Sequence, residues 1–538
     1  MTTTFDEVNK IWKGPTTNGY PRPLDNFFGE ELLKALNESP DSILEISHDE
    51  NYSMTRRETR ELTINVARNL VKMNVKPNDV IGIICRNSKY LPVLLYGCIV
   101  VGAPVNPLDN SFDSQHIKNI FEQTKPSLVF CDSEVYQSTK MTLEELENDA
   151  IVFTLREKID GVPFIEQLLK PTDEKTDFVA PKFEEPANKK IITLICTSGS
   201  TGFPKATIKT HANFLNFSKA ITIPVPHKTL NFTPIYWTNG FIATIFAPLR
   251  LTECKVQTIK LFSPEILKEM VEKYEVTTVF LTAHHLAVFM ESPIADTINF
   301  SSVKMLLSGG EIIGAQVRRK LREKFPNTTF MSAYAMTEMS VSMLNPSKIY
   351  KNEVSTGSLQ ANVQVKIIDD DGHKLGMRER GEVLVKSLLP FLGYYNNPIE
   401  TENAVDSEGF FKTGDIGFFD DDMSLVIVDR KKETFCYEDY QVNPSEIEEV
   451  ISKIDGVAQV SVVGIRDPKF VTLATAAVVK KNRFDGLTEQ MIVDFVANHL
   501  PFYKHLYGGV VFMDSLPVSA AGKVMKKWIR EKIESRDK

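Results

Sequence analysis

The feature that most constrains the fold is a rhythm. From the start to about residue 430, short β-branched runs alternate with segments of helical periodicity. Residues 80–84, 127–131, 191–197, 277–281 and 303–307 read as strands. Residues 263–274 and 313–325 carry apolar positions at helical spacing with charges between them. Strands separated by crossover helices cannot pair as simple hairpins, so the spacing predicts layered α/β architecture with largely parallel sheets. The most apolar stretch, residues 90–105, is interrupted by Pro92, Gly97, Gly102 and Pro104. It falls short of the roughly 20 residues needed to span a bilayer and reads as a core helix leading into a strand, so no transmembrane segment is expected.

From Asn362 the texture changes to a strand-rich meander (VQVKIID, GEVLVK, SLVIVD) punctuated by Asp-Gly and Glu-Gly turns. This portion is expected to be barrel-like. After the charged run DRKKE at 429–433 come a helix at 444–453, strands at 457–465 and 474–479, and a helix at 488–499. That is the content of a small α+β domain. The sequence therefore divides into a large domain at 1–428 and a small C-terminal domain at 429–538, with a hinge near 429–431.

The loop ICTSGSTGFPK at 195–205 follows an apolar strand and precedes a helix expected near His211. Hydroxyls of Thr197, Ser198, Ser200 and Thr201 and the backbone N–H groups around them suit phosphate oxygens, and Gly199 and Gly202 permit close approach. Lys205 adds a cation. The spacing is not that of a Walker A loop, and a Ser/Gly-rich string alone is equally a plain flexible turn. A net charge of −8 gives no basic excess for a nucleic-acid backbone. The six cysteines lack CxxC spacing, so neither a disulfide framework nor a zinc site is expected. The polar start MTTTFDEVNK lacks a signal-peptide layout. An intracellular protein is expected, cytoplasmic or peroxisomal, although the ending SRDK is not an SKL-type address.

The full string TSGSTG-x-PK resembles the signature of the adenylate-forming superfamily, which includes acyl-CoA synthetases, coumarate-CoA ligases, beetle luciferases and peptide-synthetase adenylation domains. Further along, YAMTE at 334–338 resembles the family's Y-G-x-T-E, KTGD at 412–415 its T-G-D, and DRKKE its D-R-x-K-E. Gly522 and Lys523 stand where the family keeps its catalytic lysine. Five motifs in order cover nearly the whole chain. GYYNNP at 393–398 and YKHLYGGVVFMDSLP at 503–517 look most like the luciferase-like and coumarate-CoA ligase-like branch.

The resemblance implies ATP and Mg²⁺ as cofactors, coenzyme A as co-substrate and a small carboxylic acid as substrate. It implies that Lys523 bridges the acid and the α-phosphate, that Glu338 holds Mg²⁺ with Thr337 on the α-phosphate, and that Asp415 and Arg430 hold the ribose. Gly309, Gly310 and Glu311 would form the adenine wall, with Tyr334, Ala335 and Met336 beside the nucleotide. Lys432 keeps its matching position after the hinge. Closure of the small domain would bring Lys523 to the nucleotide, because the two stand in different domains. Taken alone, Lys523 reads as a solvated lysine and Asp415 as a turn former.

The sequence also departs from the family. In P-I-Y-W-T-N-G at 234–240, Trp237 stands where a histidine is usual, beside Asn239 and Gly240. That implies a reshaped acyl pocket, with ordinary core packing as the alternative. Where the family has K-Y-K-G-Y-Q-V along the pantetheine path, this chain has C-Y-E-D-Y-Q-V, so Cys436, Glu438 and Asp439 replace two lysines and a glycine. Ala206, Ala335 and Val354 replace smaller glycines. The leading expectation is an AMP-forming acyl-CoA synthetase (acid–thiol ligase) for a medium- or long-chain fatty acid or an aryl acid. The alternatives are adenylation without thioester formation, passing the adenylate to another acceptor or to oxidation, and a silent acyl or nucleotide binder.

Overall fold

The computed structural model describes residues 3–16, 25–172, 178–197, 204–220, 227–250, 253–311, 313–343, 352–353, 355–387, 391–437, 440–467, 472–481, 486–519 and 523–535. Two layered α/β sheets dominate the large domain. The first runs Ala206–Thr210, Ile191–Cys196, Val105–Pro107, Ile81–Ile84, Leu128–Cys131 and Ile151–Thr154 in spatial order. All its pairings are parallel except the one between the first two strands. Ile81–Ile84 and Leu128–Cys131 are buried throughout, as central strands covered on both faces must be. The apolar segment forms the fully buried helix Leu91–Val101 and packs between the helices Phe28–Leu36 and Arg56–Lys72. Arg56–Lys72 starts with a capping box in which Thr55 and Glu58 satisfy each other's backbone N–H.

The second sheet has nine strands. Its centre is the parallel set Thr329–Ala335, Met305–Gly309, Thr278–Phe280, His227–Asn231 and Glu253–Gln257. The helices Pro264–Tyr274 and Ala315–Lys324 fall where the periodicity predicts them. Their inward residues Leu267, Met270, Val271 and Leu321 join one core with Leu230, Val279 and Leu306 from the strands. Burying each such side chain contributes about 1.5–3 kcal/mol.

The meander beginning at Val363 forms a six-stranded antiparallel sheet with Gly381–Ser387, Phe411–Phe419 and Leu425–Arg430. Its remaining two strands are Thr4–Asp6 and Ile11–Lys13, which pair with each other and then with Val363–Ile368. Trp12 is fully buried, its ring 4.4 Å from Phe5 on one side and 4.4 Å from Phe419 on the other. The small C-terminal domain holds the sheet Val457–Ile465, Leu473–Lys480 and Val510–Phe512, with the helices Pro444–Ile451 and Glu489–His499. Its core is its own, centred on Ile447, Val462, Ala476 and Val496.

The helix expected near His211 is present as His211–Ala220, but the loop at 197–205 does not lead straight into it. Ala206–Thr210 intervenes as a strand, antiparallel to Ile191–Cys196 with Ala206 opposite Cys196. Residues 197–205 therefore connect two antiparallel strands.

Candidate active site

Four neighbouring parallel strands, His227–Asn231, Thr278–Phe280, Met305–Gly309 and Thr329–Ala335, end on one edge of the nine-stranded sheet. Such edges are where α/β sheets bind ligands. A cleft of about 2820 Å³ opens there, lined by Trp237, Gly310, Thr337, Glu338, Asp415 and Lys523 among others. Two glycines are required by geometry. A Cβ on Gly240 would lie 2.0 Å from the Pro234 carbonyl oxygen, so only glycine lets the chain pass under that carbonyl as it enters the helix Thr238–Phe246. Gly310 has φ +95°, and a Cβ there would meet the Trp237 ring at 3.7 Å. Trp237 is thus partly exposed and forms a wall of the cleft rather than core. Asn239 lines the same cleft and donates to Thr233 Oγ1 at 3.1 Å.

Asp415 is 2% exposed, on the strand Phe411–Phe419. Arg430, its register partner on the next strand, puts Nε 2.8 Å from Asp415 Oδ1. The Tyr334 hydroxyl donates to Oδ2, and the Asp415 N–H donates to Thr413 Oγ1 at 3.0 Å. Burial pushes the Asp415 carboxyl up, against the pull of Arg430 and Tyr334. Burial raises the Tyr334 phenol well above its ordinary value, and neighbouring Asp415 adds to the rise. The result is a buried acceptor held in one orientation.

Glu338 stands in the turn after Thr329–Ala335. That turn is closed by reciprocal backbone bonds between Met336 and Met339 at 2.8 and 3.2 Å. Tyr394 donates its hydroxyl to Glu338 Oε1 at 2.9 Å, and Lys209 Nζ donates to the Glu338 carbonyl at 2.6 Å. Burial lowers Lys209 to about 8. Lys205 contacts the Glu400 carboxylate and lies 5.2 Å over the Tyr394 ring. Its backbone N–H donates to Thr197 Oγ1 at 3.2 Å, and the Thr197 N–H donates to the Lys205 carbonyl at 2.9 Å. The Glu338 carboxylate on the cleft wall, with a second oxygen beyond its tyrosine partner, fits a Mg²⁺ ion that draws most of its ligands from phosphates and water.

Across the cleft, the small domain reaches over. The Val524 N–H donates to Glu311 Oε1 at 3.2 Å. Burial and nearby Arg430 lower Lys523, while Glu311 and Asp415 attract it. Burial raises Glu311 to about 7, and Lys523 is the main group opposing that rise. Lys432 is lowered to about 8 by burial, with Arg430 and Lys523 adding repulsion and Glu433 opposing it. A lysine of the small domain thus lines the same cleft as Glu311 and Asp415 of the large one.

A family model for AMP-binding enzymes matches residues 33–395, and one for the AMP-binding enzyme C-terminal domain matches residues 446–523. The chain belongs to the AMP-binding enzyme family. Within this adenylate-forming superfamily, a probable 4-coumarate–CoA ligase 3 of Dictyostelium discoideum is 27% identical over 527 residues, covering 93% of this chain and 94% of its own. The luciferin 4-monooxygenase of Photinus pyralis is 27% identical over 546 residues, covering 98% of both. Among solved structures, an anthranilate CoA ligase, AuaEII, in complex with anthranoyl-AMP superposes with a TM-score of 0.84 at 18% identity, covering 95% of this chain and 98% of that one. A luciferase-like enzyme from the nonluminescent Zophobas morio mealworm gives 0.71 at 26% identity, over 79% of this chain and all of that one.

This AMP-binding enzyme gathers most of the residues singled out in its sequence around one cleft. Thr197, Lys205, Gly309, Gly310, Glu311, Tyr334, Ala335, Met336, Thr337, Glu338, Asp415, Arg430, Lys432 and Lys523 all line it, as do Trp237 and Asn239. Ser198, Gly199, Ser200, Thr201, Gly202, Val354, Glu438, Asp439 and Gly522 lie outside the described residues. Cys436 is exposed on the short strand Phe435–Tyr437. Sequence reasoning missed Lys209, Tyr394 and Glu400. The signal for Tyr394 was present in GYYNNP, but nothing local links that turn to Glu338. No helix among the described residues is long and apolar enough to cross a membrane.

Proposed function

We propose that this enzyme converts a medium- or long-chain fatty acid or an aryl acid to its acyl-adenylate and transfers the acyl group to coenzyme A. The carrying observation is that Lys523 lines the same cleft as Glu311, Asp415 and Arg430, with the adjoining Val524 N–H donating to Glu311 Oε1 at 3.2 Å. In the first step an acid oxygen attacks the α-phosphorus of ATP, the bond to the bridging oxygen of the β-phosphate breaks, and pyrophosphate leaves. Lys523 draws the two anions together and offsets the charge that develops. Asp415 accepts from the ribose, with Arg430 and Tyr334 fixing its orientation. Glu338 is the residue that would hold a magnesium ion, whose chemistry is to neutralise phosphate oxygens. Apolar walls from Phe214, Phe217, Ile242, Ala287 and Met290 suit a hydrophobic acid. In the second step the thiol of coenzyme A attacks the acyl carbon, releasing AMP.

A second reading, adenylation without the thioester step, is favoured by the sequence at 436–439, where Cys436, Glu438 and Asp439 replace cationic and small residues. ATP–pyrophosphate exchange with a panel of acids tests the first step. Exchange with no acid at all would leave only a silent binder. Exchange without consumption of free thiol when coenzyme A is added would select the second reading. Lys523→Ala is expected to abolish exchange while the protein stays folded.

A further inference from the structure

The nucleotide-loop lysine is already engaged by an anion of the protein itself. Lys205 Nζ contacts the Glu400 carboxylate. Glu400 belongs to the short helix Pro398–Asn403, where its own N–H is capped by Asn397 Oδ1 at 3.3 Å. The turn before that helix is pinned to the phosphate hairpin. The Ile208 N–H donates to the Gly393 carbonyl at 3.1 Å, the Tyr395 N–H donates to the Ala206 carbonyl at 2.8 Å, and Thr207 bridges Tyr394. The carboxylate is therefore tethered to the same backbone that carries Lys205. The Tyr394 ring lies 5.2 Å under the ammonium, and its hydroxyl donates to Glu338 Oε1.

We propose that Glu400 competes with the β- and γ-phosphates of the nucleotide for Lys205, and so lowers affinity for triphosphate and pyrophosphate without touching the AMP portion. This rests on the nucleotide assignment proposed above. When a phosphate oxygen takes the ammonium, the Glu400 carboxylate loses its counter-charge and stands beside an arriving polyanion, a like-charge contact that disfavours binding. Asp415 and Arg430, assigned above to the AMP end, pair with each other, and Asp415 with Tyr334, rather than with Lys205 or Glu400, so the AMP portion has no part in the exchange. After adenylation the carboxylate reclaims Lys205 as pyrophosphate departs, which favours release of that product over release of the adenylate.

The test is calorimetric binding of ATP, pyrophosphate and AMP to the full chain without acid substrate, for the wild type, Glu400→Gln, Lys205→Met and the double variant. Because Lys205 and Glu400 are both partly exposed, Glu400→Gln is expected to tighten ATP and pyrophosphate by about two- to fivefold and to leave AMP unchanged. Lys205→Met is expected to weaken ATP and pyrophosphate, and Glu400→Gln is expected to have no effect in that background. Tightening that persists without the lysine, or a Glu400→Gln variant that binds ATP no better than the wild type, overturns the competition alone. ATP affinity unchanged by Lys205→Met overturns the nucleotide assignment of Lys205, and the competition with it.

Discussion

Replacing Asp415 by asparagine tests the proposal that its carboxylate holds the ribose. An ionised carboxylate offers about four lone-pair positions. Tyr334 takes one on Oδ2 and Arg430 one on Oδ1, which leaves one on each oxygen for the two ribose hydroxyls. Asparagine keeps the shape but turns one oxygen into an amide that faces a donor, either the Tyr334 hydroxyl or Arg430 Nε. At least one ribose hydroxyl loses its acceptor, and the remaining bond loses its charge. A hydrogen bond to a charged group contributes about 1.5–3 kcal/mol, so AMP should bind about 10- to 150-fold more weakly. Arg430 is 42% exposed on its side chain and can rehydrate, so the thermal midpoint should move little. Isothermal titration with AMP and with 2′,3′-dideoxy-AMP separates the causes, since the dideoxy nucleotide should bind both proteins alike. A variant that binds AMP within about threefold of the wild type, or that loses equal affinity for the dideoxy compound, refutes the lone-pair argument.

Gly240→Ala should destabilise the large domain by about 3 kcal/mol or more, because its Cβ would meet only backbone, at 2.0 Å from Pro234 O and 2.6 Å from Thr233 O. A thermal melt indistinguishable from the wild type would contradict that. Trp237→Ala removes a cleft wall and should raise exchange with bulkier acids about tenfold relative to slender ones; an unchanged ranking across the acid panel would exclude Trp237 as a wall of the acyl site. Glu311 provides a pH dependence. Its folded-state value of about 7 lies above its ordinary 4.5, so the folded state binds the proton more tightly. Its contribution is complete below about pH 4.5 and is lost as pH rises through about 7, by no more than about 3 kcal/mol. Denaturation midpoints should show Glu311→Gln gaining on the wild type between about pH 5 and 8, and a difference constant with pH would contradict the linkage.

The long parallel strands and their crossover helices were legible because burial on both faces leaves unbroken β-branched runs such as IGII and LVFC. The strand ATIKT was not. It has five residues after Pro204 and runs directly into the His211 helix, and its partner lies across a nine-residue loop, longer than ordinary hairpin loops. The N-terminal strands have three residues each, too few to show a period. In the candidate site, Lys205, Glu338, Asp415, Arg430 and Lys523 were legible only as an ordered set of motifs, since none is distinctive alone. Glu400 and Lys209 had no such set, and Tyr394, although inside GYYNNP, had no local link to Glu338. Their roles come from tertiary contacts to Glu338 and Lys205 over sequence separations of 56, 195 and 129 residues, which no local pattern encodes.

The burial of Trp12 between Phe5 and Phe419 also bears on how the chain is made. The indole is synthesised roughly four hundred residues ahead of its second stacking partner, about twenty seconds or more at ordinary elongation rates. The N-terminal hairpin gains a strand to join only with Val363–Ile368, and one face of the ring stays uncovered until Phe419 follows, so a nascent chain paused before residue 419 presents a natural handle to chaperones.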